Sequence, residues 1–320
     1  MTFAGSPDRA EARLVPEAGY AFDSFRVRGL PRRPGPELVR ALFAAARAPR
    51  ACIRILDRRR PDVVLGGGGY VAGPMVLAAA LRKIPAALTE ADAHFGLANR
   101  LALPFARRVF LSFPIEGRCG GKYRLTGRPI PRRSRVLGRS EARRVLELPE
   151  QGLLLLVFGG SLGSRVLNEL AVEAFGVEGP PVLHLCGERD YGELRGRVRR
   201  RDYRLLPFTD RFGAALGAAD LALARAGGSV WELAAAGLPA ILVPGLFATA
   251  DHQGKNARYF ERTGGAVVVA ESEVSTVPGL VRSLLADEAR LAAMSTAMTQ
   301  LARPHAADEV AEELIALATP

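Results

Sequence analysis

Short apolar runs recur along the chain and alternate with stretches of amphipathic spacing. The runs are three to six residues long and apolar at almost every position, as in strands buried on both faces of a sheet. They lie at 62–65, 86–88, 109–112, 153–158, 182–185, 221–224, 240–243 and 266–269. Helical spacing is found at 76–81, 166–174, 230–236, 255–262 and 308–318. This alternation predicts parallel sheets built from βαβ units, which is an α/β fold.

A segment rich in proline and arginine, at 127–135, has the composition of a linker. The simplest architecture is therefore two doubly wound domains that face a cleft, one over 1–132 and the other over 133–303. The last stretch, 304–320, is predicted to form a helix that packs back on the N-terminal domain.

Charge is distributed unevenly between the two halves. The whole chain carries a formal charge of +11, with +13 on residues 1–132 and −2 on residues 133–320. A basic half suggests a polyanionic partner, which is a nucleic acid, an anionic membrane or a phosphorylated substrate. The alternative is a compositional bias of the source genome, because only three of the basic residues are lysine. Nucleic-acid binding is not favoured, since aromatic residues do not alternate with arginine and no DNA- or RNA-binding motif is present.

The cysteines indicate a reducing compartment. Cys52, Cys119 and Cys186 are odd in number, far apart and not spaced as zinc ligands or redox pairs. The first residues contain no apolar segment of a signal peptide, and no run approaches the length of a membrane-spanning helix. No grouping of acidic residues or histidines has metal-ligand spacing.

Glycines follow predicted strands at 66–69, 159–163 and 227–228. A glycine-rich turn from strand to helix exposes backbone N–H groups, which can bind a phosphate or a diphosphate. The alternative is a tight turn without a ligand. Three such turns at the carboxyl ends of strands favour a ligand in the crevice between the domains. None of the turns has the sequence of a Walker A loop or of a dinucleotide-binding loop.

The densest polar grouping lies at 225–256. Glu232 falls on the first turns of a predicted helix, where a carboxylate can accept both hydroxyls of a ribose or simply offset the helix dipole. His252, Gln253 and Asn256 follow the next strand and offer donors and acceptors suited to sugar hydroxyls. Each of these three, taken singly, is equally typical of an ordinary loop.

Several segments together carry a resemblance to a known family. They read LVFGGSLGSRVLNE at 156–169, ARAGGSVWELAAAGLPAILVP at 224–244 and ADHQGKNA at 250–257, with PDVVLGGGGYVAGP at 61–74 and GLANRLALPFARRVF at 96–110 in the first half. In this order they resemble the MurG-type N-acetylglucosaminyltransferases of glycosyltransferase family 28, which make the peptidoglycan precursor lipid II. The resemblance implies a GT-B fold of two Rossmann-like domains. It also implies UDP-GlcNAc as donor substrate, a polyprenyl-diphosphate-linked acceptor, and neither a metal nor a cofactor.

The resemblance also implies roles for individual residues. Contacts to the donor fall on Ser161, Thr209, Gly227, Gly228, Ser229, Glu232, His252, Gln253 and Asn256, with the uracil read at 208–209. Contacts to the acceptor or its diphosphate fall on Gly67, Gly68, Gly69, Tyr70, Asp92, Asn99 and Arg128.

A lipid-linked acceptor implies a peripheral enzyme at the cytoplasmic face of the bacterial plasma membrane. Apolar side chains among seven arginines at 38–60 suit an anionic surface. The expected patch comprises Leu38, Arg40, Leu42, Phe43 and Arg47. The alternative is a helix whose apolar face packs on the sheet, and in either case Pro49 is expected to break or kink that helix.

The chain departs from the family pattern at its start and in two motifs. The family's first strand and glycine-rich loop are missing, so we expect either a true start further upstream or a truncated relative. The family's HEQN motif reads TEAD at 89–92, which leaves Glu90 as the first candidate for the base and His94 as a weaker one. Glu90 could instead pair with an arginine such as Arg100. The family's TGNPVR motif reads TGRPIP at 126–131, so that Arg128 or Arg132 would replace the missing arginine.

Two other functions stay open at this point. A related transferase would use the same donor residues on another lipid, such as diacylglycerol. A non-catalytic relative would bind the sugar nucleotide without transferring it.

Overall fold

The computed structural model describes residues 1–27, 35–245 and 251–319, with only the backbone at 36–46. It divides into two compact units. Unit 1 comprises Met1–Thr126 and Asp308–Pro320, and unit 2 comprises Gly127–Ala307. The division falls before the proline- and arginine-rich segment rather than within it, because that segment belongs to unit 2.

The strands are β1 (Thr2–Gly5), β2 (Ala21–Ser24), β3 (Val64–Gly66), β4 (Ala86–Glu90), β5 (Arg108–Leu111), β6 (Tyr123–Leu125), β7 (Leu155–Phe158), β8 (Val182–Leu185), β9 (Tyr203–Leu206), β10 (Leu221–Ala224), β11 (Ala240–Leu242) and β12 (Ala266–Val268). The α-helices are α1 (Glu11–Glu17), α2 (Pro36–Arg59), α3 (Gly69–Leu81), α4 (Leu97–Ala102), α5 (Arg139–Val145), α6 (Arg165–Phe175), α7 (Glu188–Leu194), α8 (Phe212–Ala218), α9 (Val230–Ala235), α10 (His252–Arg262), α11 (Val277–Leu285), α12 (Glu288–Leu301) and α13 (Ala306–Ala318). Among the described residues, no helix is both long enough and apolar enough to span a bilayer.

Unit 1 contains two parallel sheets. Strands β1 and β2 form one, and β3, β4, β5 and β6 form the other in chain order. The last helix, α13, completes this unit, because Val310 packs on Ala87 of β4 and Phe110 of β5. Next to this contact, Glu313 accepts hydrogen bonds from Arg124 and Arg108 at 2.8 and 2.9 Å. These two hydrogen bonds lower the pKa of the Glu313 carboxyl.

Unit 2 is a single parallel sheet in the order β12-β11-β10-β7-β8-β9. The chain moves outward from β7 through β8 and β9, then returns to the other side of β7 and continues through β10, β11 and β12. Strands β7 and β10 are neighbours, with Phe158 opposite Ala224. The direction of winding changes at this pair, and such a point in a parallel sheet leaves a crevice at the carboxyl ends of the strands.

The α/β fold predicted from the apolar runs is confirmed, and the expected break at Pro49 is corrected. Helix α2 continues through Pro49 rather than breaking there, since proline removes only one backbone donor and the turns on either side keep theirs. Arg128, which the resemblance placed on the acceptor side, belongs to unit 2.

Candidate functional site

The turn after β7 is a compact loop that only glycine can form at two positions. A side-chain carbon on Gly159 would lie 2.3 Å from the backbone nitrogen of Ser164, and one on Gly163 would lie 2.1 Å from the carbonyl oxygen of Cys186. Gly163 also has a φ of +72°, in the left-handed region. The loop therefore folds against the end of β8, and Ser161 is exposed at its tip.

Arg225, which directly follows β10, connects the turns after β7, β10 and β11. Its Nε donates to the hydroxyl of Ser164 at 2.9 Å, and its Nη1 donates to the carbonyl of Val243 at 3.1 Å. It also forms an ion pair with Glu271. The turns after β7, β10 and β11 are thereby held together by one side chain that sequence analysis did not single out.

Glu232 lies on the first turn of α9, as predicted, and is partly exposed. Its carboxylate accepts a hydrogen bond from the hydroxyl of Ser134. Ser134 was not predicted as a site residue. The segment before α5 thus contacts the loop that contains Gly227, Gly228 and Ser229, which are all partly exposed.

The polar residues of α10 support the backbone of the neighbouring loops. The buried amide of Asn256 donates to the carbonyl of Ala226 at 3.2 Å, inside the predicted donor loop. The side-chain oxygen of Gln253 accepts from the backbone N–H of Gly245 at 2.9 Å. His252 is the first residue of α10 and is partly exposed. These contacts give Asn256 a supporting position behind the loop.

A buried polar network joins β8, β9 and α6 beneath the same loops. Asn168 uses its amide nitrogen to donate to the carbonyl of Cys186 and to Asp190, both at 2.8 Å. Its side-chain oxygen therefore accepts from Nε2 of His184 at 3.0 Å, and Nδ1 of His184 accepts from the Tyr203 hydroxyl at 2.8 Å. Burial lowers the pKa of His184 to about 3, so the ring is neutral at physiological pH.

The last predicted donor contact lies after β9. The hydroxyl of Thr209 accepts from the backbone N–H of Arg211 at 3.1 Å and closes a short turn. Phe208, beside it, exposes 57% of its surface at the carboxyl end of the strand. An exposed aromatic ring here is available for stacking on a planar base.

In unit 1, Glu90 is the centre of a hydrogen-bonded turn after β4. It is buried, and its Oε2 accepts from the backbone N–H of Gly96 at 2.9 Å and from the Asn99 amide at 2.8 Å. The expected pairing of Glu90 with Arg100 is wrong, because Nε of Arg100 donates instead to the carbonyl of Phe95. Glu90 thus anchors the start of α4.

His94 and Asp92 lie in the loop that Glu90 closes, and both are partly exposed. Asn99 donates its amide also to the carbonyl of Thr89 at 2.9 Å, while its buried side-chain oxygen accepts no hydrogen bond among the described residues. A substrate hydroxyl or amide would satisfy that oxygen.

The glycine turn after β3 leads directly into α3. Gly68 and Gly69 have φ values of +88° and +67°, which explains why glycine stands at both positions. Gly67 is exposed beside them, and the Tyr70 hydroxyl accepts from Nε of Arg9 at 3.1 Å.

The predicted membrane patch lies largely outside the described residues, since no side chain is described at Leu38, Arg40, Leu42 or Phe43. Arg47, on α2, is exposed. In the described parts of both units, no three histidine, cysteine, aspartate or glutamate side chains come together as a metal site would require.

Comparison with known proteins gives matches over nearly the whole chain. Residues 2–111 match the glycosyltransferase family 28 N-terminal domain, and residues 154–310 match the C-terminal domain of that family. The UDP-N-acetylglucosamine–N-acetylmuramyl-(pentapeptide) pyrophosphoryl-undecaprenol N-acetylglucosamine transferase of Halothermothrix orenii is 35% identical over 96% of this chain and 88% of its own length. The corresponding transferase of Nocardioides sp. is 40% identical over 97% of this chain and 87% of its own length.

The solved structures that resemble this chain include MurG of Acinetobacter baumannii. That structure is 26% identical, with a TM-score of 0.78 over 98% of this chain and 90% of its own. CalG4, the calicheamicin glycosyltransferase, is 18% identical with a TM-score of 0.69, covers 100% of this chain and 91% of its own, and shares the fold alone.

Proposed function

Because this chain belongs to glycosyltransferase family 28, we propose that it transfers N-acetylglucosamine from UDP-GlcNAc to undecaprenyl-diphospho-N-acetylmuramoyl-pentapeptide, converting lipid I into lipid II. The observation that carries this proposal is the match to curated transferases of that activity across both units. The resemblance drawn from the sequence motifs is confirmed by the same matches.

The reaction sets four tasks for the protein. An acceptor hydroxyl oxygen bonds to the anomeric carbon of GlcNAc, and the bond from that carbon to the diphosphate breaks. UDP leaves with the electron pair, and the hydroxyl proton passes to a base. The protein must bind the donor, orient the acceptor, accept the proton and stabilise the negative charge on UDP. UDP-GlcNAc is a substrate, and no separate cofactor takes part in this scheme.

Donor binding falls to the loops that Arg225 connects in unit 2. The exposed Ser161 and the loop of Gly227, Gly228 and Ser229 would bind the diphosphate through hydroxyl and backbone N–H groups. The donor residues outside these loops are Glu232 for the ribose, Thr209 with its neighbour Phe208 for the uracil, and His252 and Gln253 for the sugar.

Acceptor activation falls to the loop after β4 in unit 1. Because Oε2 of Glu90 accepts from Gly96 and Asn99, and Oε1 accepts from the backbone N–H of Asp92 at 3.5 Å, the geometry favours a positioning role for this carboxylate. His94 lies in the loop that Glu90 holds, and imidazole is the side chain most often used as a general base. We therefore assign the base to His94, with Asp92, Asn99 and the turn of Gly67, Gly68, Gly69 and Tyr70 contacting the acceptor.

A radiolabel transfer assay tests the function. Purified protein is incubated with UDP-[14C]GlcNAc and a short-chain lipid I analogue, and the labelled lipid is extracted. We expect labelled lipid II from the wild-type protein, and at most one hundredth of its rate from His94→Gln. The matched control is His305→Gln. This variant makes the same change at an exposed histidine that lies outside both proposed sites.

Two outcomes would replace the proposal. Transfer to diacylglycerol but not to lipid I would identify a related transferase with another lipid acceptor. Thermal protection by UDP-GlcNAc without transfer to either lipid would identify a binding protein that lacks the activity.

We also propose that the protein docks on a membrane. Exposed apolar side chains on and next to α4 support this. Leu97 and Leu101 of α4 expose 64% and 62% of their surfaces, and Phe105, in the short 3₁₀ helix that follows, exposes 41%. The exposed Arg100 and Arg107 flank them. Apolar side chains bordered by cations suit the surface of an anionic bilayer. The location would be the cytoplasmic face of the plasma membrane, and the three free cysteines agree with a reducing compartment.

Vesicle sedimentation tests this docking. We expect the protein to sediment with phosphatidylglycerol vesicles and not with phosphatidylcholine vesicles. The double variant Leu97→Ser, Leu101→Ser should bind the anionic vesicles at least tenfold more weakly. Ile315→Ser removes an equally exposed aliphatic residue elsewhere on unit 1 and should have no effect. Equal binding by the double variant and the wild type would show that another surface docks.

A further inference from the structure

Arg128 lies against the backbone of the proposed donor loop. A side-chain carbon on Gly228 would lie 2.4 Å from both Cζ and Nη1 of Arg128 and 2.7 Å from its Nη2. Because Cζ is as close as the nitrogens, the guanidinium presents its flat face to Gly228. The N–H groups along its edge therefore point away from this contact.

Among the residues that the structure describes, this guanidinium has no anionic partner. No ion pair or hydrogen bond of Arg128 is found with any other residue that the structure describes. Glu232, on the helix that follows this loop, accepts its hydrogen bond from Ser134 instead. A partly buried arginine with its donors unused, at a glycine-rich loop, is suited to bind an anion that the protein itself does not supply.

The position of Arg128 is set within unit 2. The chain after it is held tightly, because side-chain carbons on Gly213 and Gly217 of α8 would lie 2.0 and 2.1 Å from the carbonyl oxygens of Arg135 and Leu137. On the other side, Gly127 has a φ of +79° and packs against Arg303. The backbone is therefore fixed both before and after Arg128, and this holds the guanidinium beside the donor loop.

We infer that Arg128 binds the diphosphate of UDP-GlcNAc and supplies positive charge to the departing UDP. This inference rests on the proposed function and moves Arg128 from the acceptor to the donor. When the bond between the anomeric carbon and the diphosphate oxygen breaks, the electron pair stays on that oxygen. A planar guanidinium can donate two parallel hydrogen bonds to phosphate oxygens, and these strengthen as negative charge accumulates.

Calorimetric titration with UDP and with uridine tests the inference directly. Arg128→Gln keeps a planar, polar side chain and removes the charge. We expect it to weaken UDP binding at least tenfold and to leave uridine binding within twofold. Arg133→Gln, at an exposed position of the same segment, is the matched control and should bind both ligands as the wild type does. Equal weakening for UDP and uridine, or none for either, would overturn the inference.

A second variant checks the contact itself. Gly228→Ala should displace the guanidinium and weaken UDP binding as Arg128→Gln does. The double variant should lose little more than either single variant, because both remove the same contact. Full additivity would show that Arg128 and Gly228 act separately and would overturn the inference.

Turnover separates this inference from the proposed function. We expect Arg128→Gln to lower kcat for lipid II formation at least tenfold even at saturating UDP-GlcNAc, since stabilisation of the leaving group acts in the transition state. Wild-type protein that binds UDP but makes no lipid II would contradict the proposed acceptor, and the UDP and uridine titrations would still decide the role of Arg128.

Discussion

His184 is a titratable residue that the fold holds in one protonation state and one tautomer. Its Nε2 donates to Asn168 and its Nδ1 accepts from Tyr203. Protonation would place a second donor opposite the Tyr203 hydroxyl inside the core, where an unpaired charge is costly. Asn168 also holds the carbonyl of Cys186, on which Gly163 packs. The neutral imidazole therefore supports the loop proposed to bind the donor.

The pKa of His184 predicts acid sensitivity. Because burial lowers the folded pKa from 6.5 to about 3, the unfolded chain takes up a proton below pH 6.5 that the folded chain does not. The stabilisation is complete above pH 6.5 and is lost as the pH falls toward 3. Between pH 7 and pH 5 we expect a loss of about 2 kcal/mol in the free energy of unfolding from this residue.

Urea unfolding at the two pH values measures this loss. His184→Gln should be less stable than the wild type at pH 7 and should lose about 2 kcal/mol less between pH 7 and pH 5. Tyr203→Phe keeps the histidine and is the control, which should retain most of the pH dependence. An unchanged pH dependence in His184→Gln would assign the effect to other groups.

Glu90 offers a second test at the level of single residues. Gln at this position can keep an oxygen toward Gly96 and Asn99, whereas Ala removes the acceptor of the Gly96 N–H and of one hydrogen bond from the Asn99 amide. We expect Glu90→Gln to cost about 1 kcal/mol and Glu90→Ala about 3 kcal/mol in urea unfolding. Transfer by Glu90→Gln should stay within tenfold of the wild type. A folded Glu90→Gln protein with a hundredfold loss would instead identify Glu90 as the base.

Among the elements, the loop after β7 shows two different requirements for glycine. Gly160 and Gly163 both have positive φ, at +90° and +72°, but only Gly163 lies against backbone. Open space surrounds a side-chain carbon at Gly160, while one at Gly163 meets the Cys186 carbonyl. An alanine at Gly160 would therefore meet backbone strain alone. An alanine at Gly163 would meet the same strain and also a steric clash with the Cys186 carbonyl.

Thermal unfolding of two alanine variants separates these effects. Gly160→Ala should cost about 1 kcal/mol, the cost of a left-handed alanine. Gly163→Ala should cost about 3 kcal/mol or more, because the ends of β7 and β8 must also move apart. Equal losses would mean that the loop shifts freely away from Cys186.

The elements also show what could be predicted from sequence. The runs at 182–185 and 221–224 coincide with β8 and β10, because a strand covered on both faces is mostly apolar. The one polar residue of these two strands, His184, has hydrogen-bond partners in the core. Strands β6 and β9 were missed. Both lie at the edge of a sheet and carry an arginine, Arg124 or Arg204, at their second residue. Edge strands tolerate charge, so their pattern does not differ from that of a loop.

The positions of the glycine turns and of Glu232 were predicted correctly, because each follows a strand that the apolar runs predict. Their binding roles stay predictions. Arg225 and Ser134 were missed because their partners are distant in sequence. Arg225 contacts Ser164 across the neighbouring strands β7 and β10, and that pairing follows from the strand order alone.

At the scale of the whole molecule, unit 1 depends on both ends of the described chain. Val310 of α13 is 7% exposed and packs on Ala87 and Phe110. Val310→Asp would bury a carboxylate without a partner, and we expect it to destabilise unit 1 by about 3 kcal/mol or more. In calorimetry, the unfolding transition of unit 1 should fall to a lower temperature than in the wild type, while that of unit 2 stays unchanged. UDP binding to unit 2 should persist.

The control for this variant is Ile315→Asp, which places the same charge at an exposed position of α13 and should leave both transitions unchanged. Loss of UDP binding in Val310→Asp would contradict the independence of unit 2.

The division of the chain also sets the order in which the protein is completed on the ribosome. Residues up to Thr126 are synthesised before unit 2, and the helix that covers Ala87 and Phe110 is synthesised after it. Unit 2 is one continuous stretch and can fold as soon as it emerges. Unit 1 is therefore begun before unit 2 and finished after it. In a nascent chain paused before α13, we expect a folded unit 2 and an unfinished unit 1 whose uncovered Phe110 can be bound by chaperones.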